Sequence, residues 1–325
     1  MCGNNQTRAT ELRLLGFGNL FQMKCLVFLF FLLLYIITLI GNTLIISLTL
    51  ITAKLNSPMY FFLGNLSLCE ILFTTFVLPH ILYLVWNNGG SISMDYCFLQ
   101  IYVCGSAGIT EILLLTIMAL DRYLAICYPL RYPSLMNIGT CSYLVSMAWL
   151  SGFILASFPN CEMYKLQICH TDTIDVIFCE TVCILELSST DTYIVKLEML
   201  VLVTVLCLFP FILIIVSYVS IFSTVITISS KNWRMKTFST CSSHLTSVFM
   251  YFGTLFIIYL VPSQLYSKKM KKVVSLAYTV LTPLLNPLIY SLRNKEMKAC
   301  LMSYITNIKS NKNSVVLQVV PRLHT

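Results

Sequence analysis

Seven long apolar runs decide what this sequence can fold into. They extend over Cys25–Thr49, Pro58–Tyr83, Cys97–Ile126, Cys141–Phe158, Leu197–Ile228, Thr240–Val261 and Val273–Leu292. A helix needs about 20 mostly apolar residues to cross a bilayer. Charged residues make up only 10% of the chain, against roughly 25% in a soluble domain, so a water-soluble core cannot hide the apolar surplus. The sequence therefore predicts an all-α membrane protein, a bundle of seven transmembrane helices.

The seven spans divide the chain into three parts, because only short loops remain between them. These are an N-terminal segment (1–24), the transmembrane domain (25–292) and a tail (293–325). The sequon Asn5-Gln6-Thr7 predicts glycosylation at Asn5 and hence an extracellular N-terminus. The start of the chain lacks the charged, apolar and small-residue succession of a cleaved signal peptide. We therefore expect the first span to direct insertion and the tail to lie inside.

Basic residues are distributed as in a membrane protein. The net charge is +8, but the basic residues lie between apolar runs and form no long basic arm, so we expect no nucleic-acid partner. Of the 21 Lys and Arg residues, twelve fall in segments that this topology places inside. This excess of basic residues on the inner side is opposed by four lysines in the last outer loop, Lys268, Lys269, Lys271 and Lys272.

Two carboxylates lie within apolar runs, Glu70 in the second span and Glu111 in the third. A charge at the bilayer centre costs roughly 2.5 to 3.5 kcal/mol on the insertion scale, so both must face the bundle interior. Asn42, His244 and Asn286 lie in other spans, which predicts a buried polar network between helices. The network could serve only to hold the helices together, or it could also act as a switch. We favour a network that holds the helices together and has a switching role over one that transports ions or protons.

Four prolines interrupt the spans, namely Pro79, Pro210, Pro283 and Pro287. Each frees a backbone carbonyl and permits a kink that would let a helix bend. Proline is also common in membrane helices in general, and that simpler interpretation is preferred for Pro79 and Pro210.

Several motifs carry a family resemblance. The third span ends in MALDRYLAICYPL (Met118–Leu130), which strongly resembles the MAxDRYxAICxPL signature of olfactory receptors, a group of rhodopsin-like G-protein-coupled receptors. Further matches in the same order are Gly41-Asn42, Pro58–Tyr60, Ser217-Tyr218, Lys236–Leu245 and Pro283–Asn294. Together they extend from the first span to the last.

The resemblance assigns signalling roles to particular residues. Asp121 and Arg122 would form an ion pair that locks the inactive bundle and then releases the arginine toward a G protein. Asn286, Pro287 and Tyr290 resemble an NPxxY motif, in which Tyr290 would swing toward groups such as Tyr218. The same signalling set includes Tyr123, His244 and Phe252. After the NPxxY-like motif, Arg293–Leu301 is expected to form an amphipathic helix on the inner membrane surface. Cys300 in this helix could be palmitoylated, but an unmodified thiol is the preferred interpretation.

The resemblance also implies a disulfide bond, Cys97 with Cys179, which would hold the second outer loop over a pocket. The family has four cysteines in that loop, but Ser189 stands at the position of the last. Cys169 is then either unpaired or bonded to another cysteine, for which Cys183 is preferred over Cys161.

Two other residues depart from the family pattern. Glu70 stands where Asp is usual. Tyr251-Phe252-Gly253 replaces Phe-Tyr-Gly, so the hydroxyl at the family's switch position has moved by one residue, which puts the strength of activation in question.

A stripe of small residues on the third span marks a candidate pocket. Cys104, Gly108 and Ile112 recur every four residues with Gly105 and Ile109 beside them, so all five share one helix face. The two glycines either leave a cavity or let helices pack closely. The resemblance favours a cavity, suited to a small, poorly charged ligand. Its other expected lining residues are Met199, Leu202, Val203, Leu206, Leu255, Phe256, Tyr259, Leu276 and Thr279.

The function that these features predict is that of an odorant-type receptor in the plasma membrane. It would bind a small, mostly apolar organic molecule outside and activate a stimulatory G protein inside, with no cofactor or metal. The rivals are a transporter or channel that uses Glu70 and Glu111 as a relay, and a receptor for a peptide or lipid. The sequence contains no P-loop, HExxH or GxSxG motif, which argues against an enzyme.

Overall fold

The computed structural model describes residues 9–52, 55–168, 173–228, 230–260, 268–293, 297–303 and 306. Its named helices are α1 (Lys24–Ile51), α2 (Pro58–Asn87), α3 (Met94–Cys127), α4 (Tyr132–Leu135), α5 (Ile138–Lys165), α6 (Thr181–Leu187), α7 (Tyr193–Thr227), α8 (Lys231–Leu260), α9 (Lys268–Leu276) and α10 (Thr282–Arg293). Two short strands, β1 (Glu11–Leu14) and β2 (Gly90–Ser93), accompany them.

The expected bundle of seven transmembrane helices is confirmed. Six stretches of the described chain are long and apolar enough to cross a membrane, and α8 contains a shorter apolar stretch, Cys241–Ile257. The seventh span is composite: α9 and α10 are joined by a π-helical turn, Ala277–Leu281. Helix α3 lies at the centre and contacts α2, α5, α7 and α8. Helices α1 and α7 instead expose rows of large apolar side chains, as a surface that faces lipid requires.

Local capping sets helix ends that the apolar runs do not mark. Helix α3 begins at Met94, before the predicted Cys97, because the Ser93 side chain accepts a hydrogen bond from the Tyr96 N–H. The Asn137 side chain caps α5 in the same way. Helix α2 continues to Asn87 and ends where Asn88 adopts a left-handed conformation with φ 53°.

The described part of the N-terminal segment, residues 9–24, packs against the rest of the structure. Strand β1 pairs antiparallel with β2, with Leu12 opposite Ile92. Leu12 and Leu14 are buried, while Glu11 and Arg13 are exposed. Since side chains alternate across a strand, this polar-apolar alternation lets a short segment close one end of the bundle.

The disulfide bond between Cys97 and Cys179 is present, with a Cα–Cα distance of 5.5 Å. A hydrogen bond reinforces it, because the Cys179 N–H donates to Gln100 Oε1 at 2.9 Å. The Gln100 amide in turn donates to the Phe76 carbonyl at 2.6 Å. The loop between α5 and α7 is thereby held against α2 and α3.

Ser189 joins the two ends of this loop by hydrogen bonds. Its N–H and its hydroxyl both donate to the Gln167 carbonyl, at 3.0 and 3.1 Å. Cys169 lies outside the described residues, so its pairing with Cys183 stays a prediction.

Lys272, one of the four lysines that oppose the charge bias, holds three segments together. On α9 it donates to the Gly16 carbonyl at 2.6 Å and forms an ion pair with Asp175. The N-terminal segment, the loop and the seventh span therefore meet at the end of the bundle where Cys97 lies.

Two expectations fall wholly or partly outside the described residues. Asn5 is not described. Of the predicted tail helix, residues 297–303 are helical, and both Met297 and Cys300 are buried. The Cys300 thiol therefore faces protein rather than lipid.

Replacing Cys97 or Cys179 by Ser is expected to remove most of the protein from the cell surface. The bridge closes a loop with a sequence separation of 82, which the chain-entropy account values at about 4 kcal/mol. Cys161→Ser, which changes an exposed thiol, is the control and should leave surface labelling unchanged. Non-reducing peptide mapping should find the Cys97–Cys179 cross-link, and a free Cys97 thiol in surface protein would contradict the assignment.

Candidate functional site

A cavity of about 230 Å³ lies between the helices at the Cys97 end of the bundle. Most of the predicted pocket residues meet there. Those that line it are Cys104, Gly105, Gly108, Ile109, Ile112, Met199, Leu202, Val203, Leu206 and Leu255. Helices α3, α7 and α8 thus contribute apolar walls, as the stripe on the third span suggested.

Three other predicted pocket residues do not line the cavity. Phe256 packs against Phe211, with ring centroids 5.2 Å apart. Leu276 packs against a cluster formed with α1 and α2, and buried Thr279 donates to the Ser275 carbonyl. The side chain of Tyr259 lies outside the described residues.

On the seventh span the cavity is lined one residue earlier than predicted. Ser275 and Tyr278 line it in place of Leu276 and Thr279. The π-helical turn, Ala277–Leu281, begins between these two lining residues.

Sequence reasoning also missed three polar residues that line the cavity on the side of the loop between α5 and α7, which we call its roof. Glu180 and Thr181 from the loop and Asn160 from α5 line the cavity. Glu180 follows Cys179, so the expected disulfide offered a signal for it. Asn160 offered none, because the apolar run ends at Phe158 while α5 continues to Lys165.

The floor of the cavity is a close contact between α3 and two tyrosines. The Tyr251 hydroxyl donates to the Gly108 carbonyl at 2.8 Å. A Cβ at position 108 would lie 2.9 Å from the Tyr278 hydroxyl and 3.3 Å from that of Tyr251, so the approach requires glycine. Phe252 instead packs on Phe211, with centroids 5.4 Å apart. The hydroxyl that moved by one residue therefore bonds to α3.

The predicted polar network joins α1, α2 and α10. Asn286 donates to a Glu70 carboxylate oxygen. Pro287 has no N–H to bond the carbonyl of Pro283, and Asn42 Nδ2 donates to that carbonyl at 3.2 Å. A Cβ at Gly41 would lie 3.0 Å from Pro287 Cβ, so the Gly41-Asn42 pair fits the proline kink in both shape and hydrogen bonding.

Glu111 lies apart from these hydrogen bonds. It is buried on α3, and its Oε1 has no hydrogen-bond partner among the described residues. The described part of the chain holds no cluster of three His, Cys, Asp or Glu side chains suited to a metal ion.

The predicted ion pair forms at the opposite end of α3. Asp121 Oδ2 accepts from Arg122 Nε at 2.9 Å and from Nη2 at 2.5 Å. Tyr132 on α4, which sequence reasoning did not single out, donates to Asp121 Oδ1 at 2.8 Å. Burial and the Asp121 carboxylate raise the pKa of Tyr132, so its hydroxyl stays a neutral donor at physiological pH. Asp121, which is fully buried, is thus held by two partners.

Four more of the predicted signalling residues lie on α3, α7, α8 and α10. The Tyr218 hydroxyl and His244 Nδ1 form a hydrogen bond of 2.7 Å between α7 and α8. Tyr290 is fully buried and belongs to the same core cluster as Tyr218. The Tyr123 hydroxyl donates to that of Tyr128 at 3.5 Å.

Gly108→Ala is expected to lower the melting temperature of the purified protein, whereas Gly105→Ala should not. The new methyl group at 108 must displace two tyrosine hydroxyls, and overpacking typically costs about 1 to 3 kcal/mol. At position 105 the nearest atom is Ala156 Cβ at 3.7 Å, an ordinary contact. Equal melting temperatures for the two variants would contradict a close approach at Gly108.

Comparison with known proteins agrees with this geometry. A sequence model of the olfactory receptor family matches residues 31–308. Olfactory receptor 10A3 of Homo sapiens is 41% identical over 298 residues, which cover 92% of this chain and 95% of that receptor. Human olfactory receptor 10A7 is 42% identical over 306 residues, 94% of this chain and 97% of the relative. The chain therefore belongs to the olfactory receptor family of rhodopsin-like G-protein-coupled receptors, odorant-sensing proteins of the plasma membrane that are not enzymes.

Proposed function

We propose that this receptor binds a small, mostly apolar odorant in the cavity and activates a stimulatory G protein through Arg122. The single observation that carries the proposal is the hydrogen bond from Tyr251 to the Gly108 carbonyl. It joins α8 to α3 at the floor of the cavity, where a ligand would press against both residues.

Helices α3 and α8 connect the cavity to the signalling end. Gly108 and Asp121 both lie on α3, roughly 20 Å apart at 1.5 Å per residue. Helix α8 carries Tyr251, which bonds to α3, and His244, which bonds to Tyr218 on α7. A ligand that binds better when the Tyr251–Gly108 bond is broken shifts the population toward an arrangement in which α8 moves. Such a movement would open the Arg122 end to a partner.

The disulfide bond supports a proposal for the orientation in the membrane. The Cys97 end carries a disulfide bond, and such bonds persist in oxidising, extracellular surroundings. We propose that this end and the N-terminus face outside, with Asn5 glycosylated. Arg122 and the G protein then lie inside.

A screen of small volatile molecules tests the proposal. Cells that display the receptor should produce cyclic AMP in response to at least one compound, without net transport of that compound. Flux of the compound without cyclic AMP would favour a transporter and overturn the proposal, as would a surface-expressed receptor that no volatile activates.

Arg122→Ala is expected to abolish agonist-driven cyclic AMP while most of the receptor still reaches the surface. The variant removes the group proposed to contact the G protein, and Tyr132 still donates to Asp121. Signal is measured per surface receptor. Arg122→Lys keeps the charge but not the two-pronged contact, so an intermediate signal is expected. A normal response of the Ala variant would refute the role of Arg122.

Tyr132→Phe is expected to raise cyclic AMP in the absence of agonist. The change removes one of the two groups that hold Asp121, a hydrogen bond of 2.8 Å, so the ion pair separates more easily. Tyr128→Phe is the matched control, because that hydroxyl contacts only the Tyr123 hydroxyl among the hydrogen bonds described. Basal signalling that is equally low in both variants would show that Tyr132 does not restrain activation.

A further inference from the structure

The polar atoms at the roof of the cavity are mainly hydrogen-bond acceptors. Asn160 is the clearest case. Its Nδ2 donates to the Phe98 carbonyl at 3.4 Å, while its Oδ1 is buried without a hydrogen-bond partner among the described residues. A buried acceptor without a donor is unfavourable, because it has lost its hydrogen bond to water and gained none in return. A ligand that supplies a donor would remove that cost.

Glu180 and Ser275 extend the acceptor surface. The Ser275 hydroxyl donates to Glu180 Oε1 at 2.6 Å. A hydroxyl has a single proton, so Ser275 can only accept from a ligand, as an ionised carboxylate also does. The Tyr251 hydroxyl can likewise only accept from a ligand, because its proton is donated to the Gly108 carbonyl. The hydroxyls of Thr181 and Tyr278 also line the cavity, but a hydroxyl donates as readily as it accepts and does not alter the balance.

The described lining of the cavity offers no basic side chain to a ligand. The described lining contains no Lys, Arg or His. Lys272 on α9 does not line the cavity and forms its ion pair with Asp175. A ligand carboxylate would therefore meet the like charge of Glu180, and no Lys, Arg or His in the described lining could bind that ligand carboxylate.

We propose that the ligand is an apolar molecule with one terminal hydrogen-bond donor, a hydroxyl or an amino group, which donates to Asn160 Oδ1 at the roof that Glu180 and Ser275 also line. The inference rests on the proposed function of the cavity as the odorant site and names the chemical class of the odorant. The apolar walls of α3, α7 and α8 hold the body of the molecule, and the roof selects its polar end.

Matched ligands test the proposal. Octyl, cyclohexylmethyl and benzyl skeletons are each presented as the alcohol, the primary amine, the methyl ether and the carboxylate. Purified full-length receptor is melted with each compound, because a bound ligand raises the melting temperature, and cyclic AMP is measured in cells. On the skeleton that fits best, we expect the alcohol or amine to act at about tenfold lower concentration than the ether, the value of one good hydrogen bond. The carboxylate is expected to be inactive.

Two variants assign the preference to particular residues. Asn160→Leu should abolish the advantage of alcohol over ether, and Glu180→Gln should allow the carboxylate to bind. The controls are Asn87→Leu and Glu186→Gln, which change exposed side chains of the same types away from the lining. Both controls should keep the ranking of the unmodified receptor. The order of alcohol, amine, ether and carboxylate is measured on the unmodified receptor first. A variant that fails to fold therefore does not remove the test of the ligand class.

The outcomes separate this inference from the proposed function. If alcohols or amines stabilise the purified receptor in the expected order but produce no cyclic AMP, the ligand class stands and the coupling proposal fails. If ethers or carboxylates activate as well as alcohols, coupling stands and the ligand class is overturned. A receptor that no compound in the series stabilises also overturns the ligand class.

Discussion

The structure depends on one constraint, the absence of water in the bilayer core. Every backbone polar group placed there must find a partner within the protein. The contact between α1 and α10 shows how the chain meets this demand. Pro287 leaves the Pro283 carbonyl without an intrahelical donor, and Asn42 supplies one at 3.2 Å, while Gly41 gives the proline ring room. Glu70 receives the Asn286 amide in the same region. Residues far apart in the chain thus complete a single unit of structure.

Helix α3 is the element that unites the cavity and the signalling end. It contributes the glycine floor at one end and the Asp121–Arg122 pair at the other. Both sites are closed by hydrogen bonds from neighbouring helices, Tyr251 above and Tyr132 below. Packed helices change arrangement in discrete steps rather than by continuous bending. A receptor built in this way can convert a small displacement at the floor into a different arrangement at the far end.

The polar groups at the roof and the apolar walls divide the work of recognition. Walls of Ile, Leu, Val and Met exclude water without prescribing orientation, so they select by size and shape. A few fixed acceptors add direction, because an analogue without the matching donor leaves them unpaired. The disulfide bond and the hydrogen bonds of Gln100 keep the loop that carries Glu180 in place. Preorganisation of this kind lowers the entropy lost on binding.

The sequence alone determined the seven spans, the family and the residues of the Asp121–Arg122 pair, because apolar length and contiguous motifs are local properties of a chain. The helical period also placed Gly108 on the face of α3 that lines the cavity, and the family resemblance pointed to the residues of α7 and α8 that line it with Gly108. Only the tertiary structure decided the rest. Tyr278 and Ser275 line the cavity where the family resemblance predicted their neighbours, and the fold brought Asn160, Glu180 and Tyr132 to sites far from them in sequence. Strand β1 likewise became part of the bundle only through pairing with β2. These contacts depend on how helices and loops approach one another, and that information lies in pairs of distant segments rather than in any one of them.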